Sequence, residues 1–223
     1  MIQNKLNFFF KHQIWHISGL IILFYLSLQI VNFEVNTNVF IGISSNNWFF
    51  FAMLTPLIHQ VYVWLCWRSE LCWKTVSNTI GFKSYTIIFF ILISLRLVFG
   101  IGLSFTDYSI WFTPGWVAWI ISIIIFIPFI YTMYSVKKYF GFMRAAGVDH
   151  FDPEYKNIPF EKRGVFKWTP NAMYVFAINI FFALAFLAGS KAMFVYATYT
   201  TISIWLHYFC TEKEDYKFIY GNK

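Results

Sequence analysis

The chain alternates long apolar runs with short polar connections, and most of six such runs approach the ~20 residues a helix needs to cross hydrocarbon. They cover roughly residues 17–33, 48–67, 85–105, 111–135, 172–188 and 191–210. Each run is continuous rather than alternating, so helices are expected, because a spanning backbone must satisfy its polar groups internally. The expected fold is all-α, a polytopic transmembrane bundle of about six spans. The one long connection, Val136 to Thr169, separates four N-terminal spans (residues 1–135) from a C-terminal unit (136–223) that ends in a helical hairpin turned at Gly189-Ser190. Pro56 and Pro128 fall inside spans, where neighbouring helices tolerate the kinks expected of them.

Composition agrees with the pattern. Hydrophobic residues make up 59% and charged residues 12%, against roughly 45–50% and about 25% in soluble domains. An integral membrane protein follows. The net charge of +7 does not imply nucleic acid, because Lys and Arg do not gather on one soluble periodic segment. Lys5 and Lys11 precede the first span, Arg68, Lys74 and Lys83 lie between the second and third, and seven basic residues lie from Lys137 to Lys167. The opposite connections carry Glu34, Asp107 and Lys191. This asymmetry places both termini in the cytoplasm after an even number of crossings, with basic groups beside anionic lipid headgroups. Trp15, Trp48, Trp67, Trp111, Trp116 and Trp168 near span ends fit an interfacial aromatic belt. The first run follows two lysines as a signal peptide would, but no small-residue cleavage site comes after it, so it reads as a retained helix. Cys66, Cys72 and Cys210 form no paired framework and read as packing residues.

Polar residues inside apolar runs narrow the picture. Gln29, His59 and Gln60 are expected to hydrogen-bond between helices. Arg96 sits near the middle of the third span, where a charge costs at least ~2.5–3.5 kcal/mol and needs a partner. No span contains an acid, so Arg96 either snorkels or meets a backbone carbonyl, a loop acid or an anionic ligand such as a lipid phosphate, and it is a candidate substrate contact. Tyr139, Phe140 and Phe142 beside Lys137, Lys138 and Arg144 suggest an interfacial segment within a connection long enough to form a lid. Asp149, His150 and Asp152 in the following turn read as a solvated or capping cluster rather than a metal site, and no metal is expected.

The sixth run is the most structured. Steps of three and four residues connect Tyr196, Thr200, Ser203, His207, Thr211 and Glu214 in one polar line at helical period. In lipid, such a line faces protein or a cavity. Glu212 lies four residues from both Tyr208 and Tyr216, giving a second edge. Because the hairpin is antiparallel, Asn171 and Tyr174 at its start come level with His207 to Asp215. Pro170 at the helix entry leaves first-turn amides that suit an anion, and Glu212, Glu214 and Asp215 opposite suit an ammonium or sulfonium. A zwitterion would fit between them.

This hairpin resembles the membrane methyltransferases related to phosphatidylethanolamine N-methyltransferase and isoprenylcysteine carboxyl methyltransferase. In those families a segment such as Arg-His-Pro-x-Tyr precedes the hairpin, and a Glu-rich segment with a following Gly closes it. Tyr174 matches the motif tyrosine, while Pro170, Asn171 and Ala172 stand where Arg, His and Pro are usual. His207, Glu212, Tyr220 and Gly221 resemble the closing half, and Arg144-Ala-Ala-Gly147-Val-Asp-His150-Phe-Asp-Pro153 is similar to a bacterial branch. The resemblance covers roughly the last eighty residues. It implies a bacterial inner-membrane enzyme that uses S-adenosylmethionine to methylate a lipid or lipid-like substrate, first an amine of phosphatidylethanolamine type. Asn171, Tyr174, Glu212 and Gly221 would bind the cofactor, His207 and Glu214 would orient or deprotonate the substrate, and Arg96 and Tyr208 would contact it. A prenyl-cysteine carboxylate, a quinone-like acceptor, a sterol-type reductase and a catalytically degenerate membrane scaffold or transporter subunit are the competing readings.

Overall fold

A computed structural model describes residues 2–31, 38–107 and 115–221, and Phe33, Glu34 and Trp111 lie outside them. Helices α1 (Ile2–Phe10) and α2 (Gln13–Ile30) meet at His12, which adopts a left-handed conformation with φ 63°. A two-residue hairpin, β1 (Val39–Phe40) with β2 (Ile43–Ser44), precedes α3 (Ser45–Trp73). Next come α4 (Thr75–Thr79), α5 (Gly81–Thr106) and α6 (Trp116–Ser135). The long connection holds a π turn at Val136–Phe140, α7 (Phe142–Ala145) and three 3₁₀ turns. A π turn at Met173–Ala177 leads into α8 (Asn179–Ala188), and α9 (Lys191–His207) passes through another at Tyr208–Glu212 into α10 (Lys213–Tyr220).

Four helical stretches, Gln3–Ile30, Ser45–Trp73, Gly81–Thr106 and Trp116–Phe140, are long and apolar enough to cross a membrane. The two hairpin helices are shorter: Met173–Ala188, and α9 with 17 residues. The described helices also begin or end away from the apolar runs. The second runs through Trp73 rather than stopping at residue 67, so Arg68 and Glu70 are helical and fully buried instead of loop residues. Pro56 and Pro128 both lie inside continuous helices.

The packing centre is α9, which touches α2, α3, α5 and α8. One apolar cluster joins Trp48, Met53 and Leu103 from the first part of the chain to Phe181, Ala185, Met193 and Tyr196 from the hairpin. Small residues permit this approach. A Cβ on Gly102 would lie 2.4 Å from the Trp48 ring. At the hairpin turn, Gly189 takes φ 65° and Ser190 caps α9 by accepting from the Met193 amide at 2.9 Å. Asp107 at the end of α5 accepts from the Ser190 hydroxyl at 2.5 Å and the Ala192 amide at 3.0 Å, fixing where the hairpin turns.

Trp48 and Trp67 are each 5% exposed, so they are core residues rather than belt residues, whereas Trp15, Trp116 and Trp168 are exposed. Gln29 is exposed near the end of α2, not bonded between helices as expected. The three cysteines are buried and unpaired with one another. Asp149 and His150, expected in a solvated turn, are 5% and 2% exposed, while Asp152 caps its own turn through the Glu154 amide at 2.9 Å.

A two-compartment candidate active site

The polar line on α9 is present and inward-facing. Tyr196, Thr200 and Ser203 are fully buried, His207 is 3% exposed and Thr211 is buried. The line does not continue to Glu214. A π turn carries more residues per turn than an α-helix, so the break at Tyr208–Glu212 advances the register and brings Asp215 inward instead. Glu214 faces outward between Lys11 and Lys217, each with its ammonium 2.6 Å away, and these partners hold its carboxyl down at about 2.

The inward carboxylates sit in a bonded layer. Arg68 donates to Asp215 and to the Phe8 carbonyl, and its remaining nitrogen lies 3.3 Å from the Cys210 and Thr211 carbonyls. His150 places Nε2 3.4 Å from the other Asp215 oxygen and stacks on Trp67 at 4.0 Å. Tyr220 donates to Asp149, which also lies 3.6 Å from Arg144. Gly147 at φ +81° lets the turn pass this close, since a Cβ there would meet Trp67 at 2.4 Å.

The hairpin brings Tyr174 and Glu212 together, and the tyrosine hydroxyl donates to the carboxylate. Burial pushes the Glu212 carboxyl up, while hydroxyls of Tyr174 and Tyr216 pull it back. Both residues line a cleft of about 40 Å³ whose other walls include Asn171, Pro170, Arg144 and Phe160. Nη2 of Arg144 is buried there without a partner. Tyr208 packs edge-on to Tyr174, with ring centroids 6.2 Å apart, and lines neither this cleft nor the chamber described next. Gly221 ends α10 with its amide on the Lys217 carbonyl at 3.0 Å and is likewise outside both.

Behind the cleft lies a chamber of about 390 Å³ between α3, α5, α6, α8 and α9. Its walls are overwhelmingly apolar, as in most small-molecule sites. Tyr174 and Met173 line both compartments and form their shared wall. On the opposite side, Phe90 and Ser94 line both the chamber and an apolar groove on the outer face of α5, with Lys83 and Met143 at the groove's edge. Phe90 and Ser94 thus separate the chamber from the outer groove by a single layer of side chains.

The few polar groups in the chamber occupy two levels. His207 and Trp67 stand near Tyr174, their rings 5.7 Å apart, and neither His207 nitrogen has a hydrogen-bond partner. His59 lies eight residues before Trp67 on α3, about 12 Å away at 1.5 Å per residue. Arg96 joins His59 there with Nη1 3.4 Å from Nδ1. The Arg96 side chain does not snorkel: the residue is 5% exposed, fifteen residues into a helix that starts at Gly81. Gln60, beside them, takes His16 on its oxygen at 3.3 Å and leaves its amide nitrogen unpartnered.

Arg68 and His16 are not among the site residues that the sequence alone singles out, and Asp215, named there with Glu212 and Glu214, proves to be the counter-ion of Arg68. Arg68 lies just past an apolar run and was counted with the loop charges. The available signal was helical spacing, because Trp64 and Trp67 continue their face onto Arg68 and Cys72. Gln13 and His16, three apart at a span entrance, carried a similar signal, and their rings and amides do meet at 2.9 Å. Among the described residues no group of three His, Cys, Asp or Glu side chains is arranged to hold a metal ion. No family model, curated protein or solved structure matches the chain.

Proposed function

We propose that the protein is an integral membrane enzyme that transfers a methyl group from S-adenosylmethionine to a lipid or lipid-like acceptor. The observation carrying this reading is the shared wall: one compartment is lined by Arg144, Asp149 and Glu212, the other is overwhelmingly apolar and lies one layer of side chains from the outer groove of α5, and Tyr174 separates them. That arrangement suits a water-borne donor and a membrane-borne acceptor. The six-span topology with both termini in the cytoplasm belongs to the same proposal. It is supported by the packing of α1 on α10, where the Phe8 and Phe218 rings stack at 4.7 Å, so the two ends of the described chain share one side.

The cleft residues match the cofactor's chemistry. The Glu212 carboxylate suits a sulfonium or ammonium, the unpartnered Arg144 nitrogen suits a carboxylate, and Phe140, Phe160 and Tyr216 offer rings to a purine. The volume of 40 Å³, little more than one water's share of liquid, requires Phe160 to swing outward, leaving its ring contacts with Tyr216 and Tyr220; it is 45% exposed. When bound, the cofactor supplies an electrophilic methyl group on sulfur. Glu212 then holds positive charge at the shared wall. Tyr174, released from Glu212, orients the acceptor, and positioning of both reactants supplies much of the rate. His207 takes the proton that an amine or hydroxyl acceptor sheds as its new bond to carbon forms, which needs an unprotonated ring nitrogen facing the chamber. Glu214, bound between two lysines, takes no part.

The test is incubation of nanodisc-embedded protein with methyl-labelled S-adenosylmethionine, followed by lipid analysis. Label is expected in an extractable amphiphile and is lost in His207→Ala. Label in phosphatidylethanolamine would identify the bilayer amine as acceptor; no label in any lipid or added amphiphile would refute the assignment.

A further inference from the structure

Arg96 carries a charge that nothing in the described protein neutralises. Its Nη1 faces His59, but Nε and Nη2 are buried without partners. Those two N–H groups form one edge of the guanidinium, the edge that binds a carboxylate through two parallel hydrogen bonds. The surroundings repeat the theme. With Nδ1 of His59 accepting from Arg96, the ring proton lies on Nε2, which is also unpartnered, and the Gln60 amide nitrogen adds a fourth idle donor. The Tyr196 hydroxyl gives its proton to the Arg96 carbonyl at 2.9 Å. Arg96, His59 and Gln60 are each at most 5% exposed, and all three line the chamber.

Four buried donors line this end; the Gln60 oxygen meets His16, and the hydroxyls of Tyr196 and Tyr199 beside Arg96 are neutral, so no anion faces the guanidinium. Arginine does not shed its proton to escape burial, and leaving such donors unmade costs about 1–3 kcal/mol each, more for a charged group. The geometry points to an oxyanion seat, and we propose that the chamber binds an amphiphilic carboxylic acid with its carboxylate on Arg96. A monoanion is favoured because Arg96 is the single Lys or Arg among the residues lining the chamber. The seat lies eight residues, about 12 Å of helical rise, from Trp67 on α3, so the ligand has two functional ends: the acid held at Arg96 and the second group presented at the Tyr174 end of the chamber. This deepens the methyl-transfer reading and rests on it for which end reacts; the seat itself requires no methyl donor.

The experiment measures binding of ω-hydroxylauric acid and of its methyl ester to the full chain in phosphatidylcholine nanodiscs, without S-adenosylmethionine. The parent is expected to bind the acid about tenfold or more tightly than the ester, the factor of a charge-assisted hydrogen bond. Arg96→Gln is expected to fold and to erase that preference, and Arg96→Lys to retain part of it, since an ammonium keeps the charge without the fork. Equal binding of acid and ester by the parent, or an intact preference in Arg96→Gln, would overturn the seat. So would unfolding of Arg96→Gln without ligand, because the cation would then be serving the fold. Absence of labelled methyl transfer alongside a clear acid preference would remove the enzymatic reading and leave the seat standing.

Discussion

Arg68 and Arg96 are buried arginines in the same bundle, 0% and 5% exposed, yet their surroundings are opposite. Arg68 has Asp215 as counter-ion, backbone carbonyls on its other nitrogens, and the Phe8 ring 4.5 Å from its guanidinium carbon. Arg96 has a histidine nitrogen on one N–H and no acid. Burying a charge is tolerated where the protein completes its bonds, and a charge left incomplete inside a chamber is kept for something that enters. The first arginine ties the N-terminal helix, α3 and the C-terminal segment into one floor. The second sits where a ligand would lie.

The contrast makes its largest prediction in stability. Arg68→Gln strands Asp215 and opens the floor, so it is expected to cost about 3–5 kcal/mol, read as a lowered thermal midpoint in nanodiscs. Arg96→Gln removes an uncompensated cation and is expected to leave the midpoint unchanged or raised. A fall of equal size in both variants would erase the distinction.

The floor itself is sharpened by a pair of glycines. At Gly147, φ +81° and Trp67 2.4 Å away combine, so Gly147→Ala is expected to lose about 2–4 kcal/mol through strain and overpacking and to displace His150 from Trp67. Gly42 has φ +74° with open space around it. Gly42→Ala is therefore expected to lose about 1 kcal/mol, from backbone strain alone, and denaturation of the two variants side by side reads the difference.

The smallest effect concerns the rim. The Glu214 carboxyl is held down at about 2 by Lys11 and Lys217. A depressed carboxyl stabilises fully above its ordinary pKa near 4.3 and loses that contribution as pH falls toward 2. Acid titration of thermal stability is expected to show a modest loss in that window, diminished by salt and absent in Glu214→Gln. A Glu214→Gln variant that loses methyl transfer would instead return this residue to the site.

Much of this organisation was legible from spacing alone. Antiparallel geometry across Gly189-Ser190 suffices to bring Tyr174 opposite Glu212, and steps of three and four suffice to select Tyr196 through Thr211. The choice of Glu214 over Asp215 failed because the line assumed an unbroken α-helix, and a π turn advances the register without a local hydropathy signal. Arg68 was hidden for a different reason: hydropathy marks where apolar residues stop, whereas α3 continues to Trp73 under the cover of α1. Asp149 and His150 look solvated in a polar turn, and the packing of α10 and of Trp67 on α3 against that turn buries them. Arg96 was marked by its depth, but its idle edge needed the position of His59.

The central claim is that the cleft at Glu212 holds a methyl donor. Its most direct test is equilibrium binding of S-adenosylmethionine to the purified protein in nanodiscs, with Glu212→Gln and Tyr174→Phe as comparisons. Saturable binding by the parent, weakened about tenfold or more when the Glu212 charge is removed and retained in Tyr174→Phe, is the predicted result. No binding by a folded parent chain, or equal binding by folded Glu212→Gln, would contradict it.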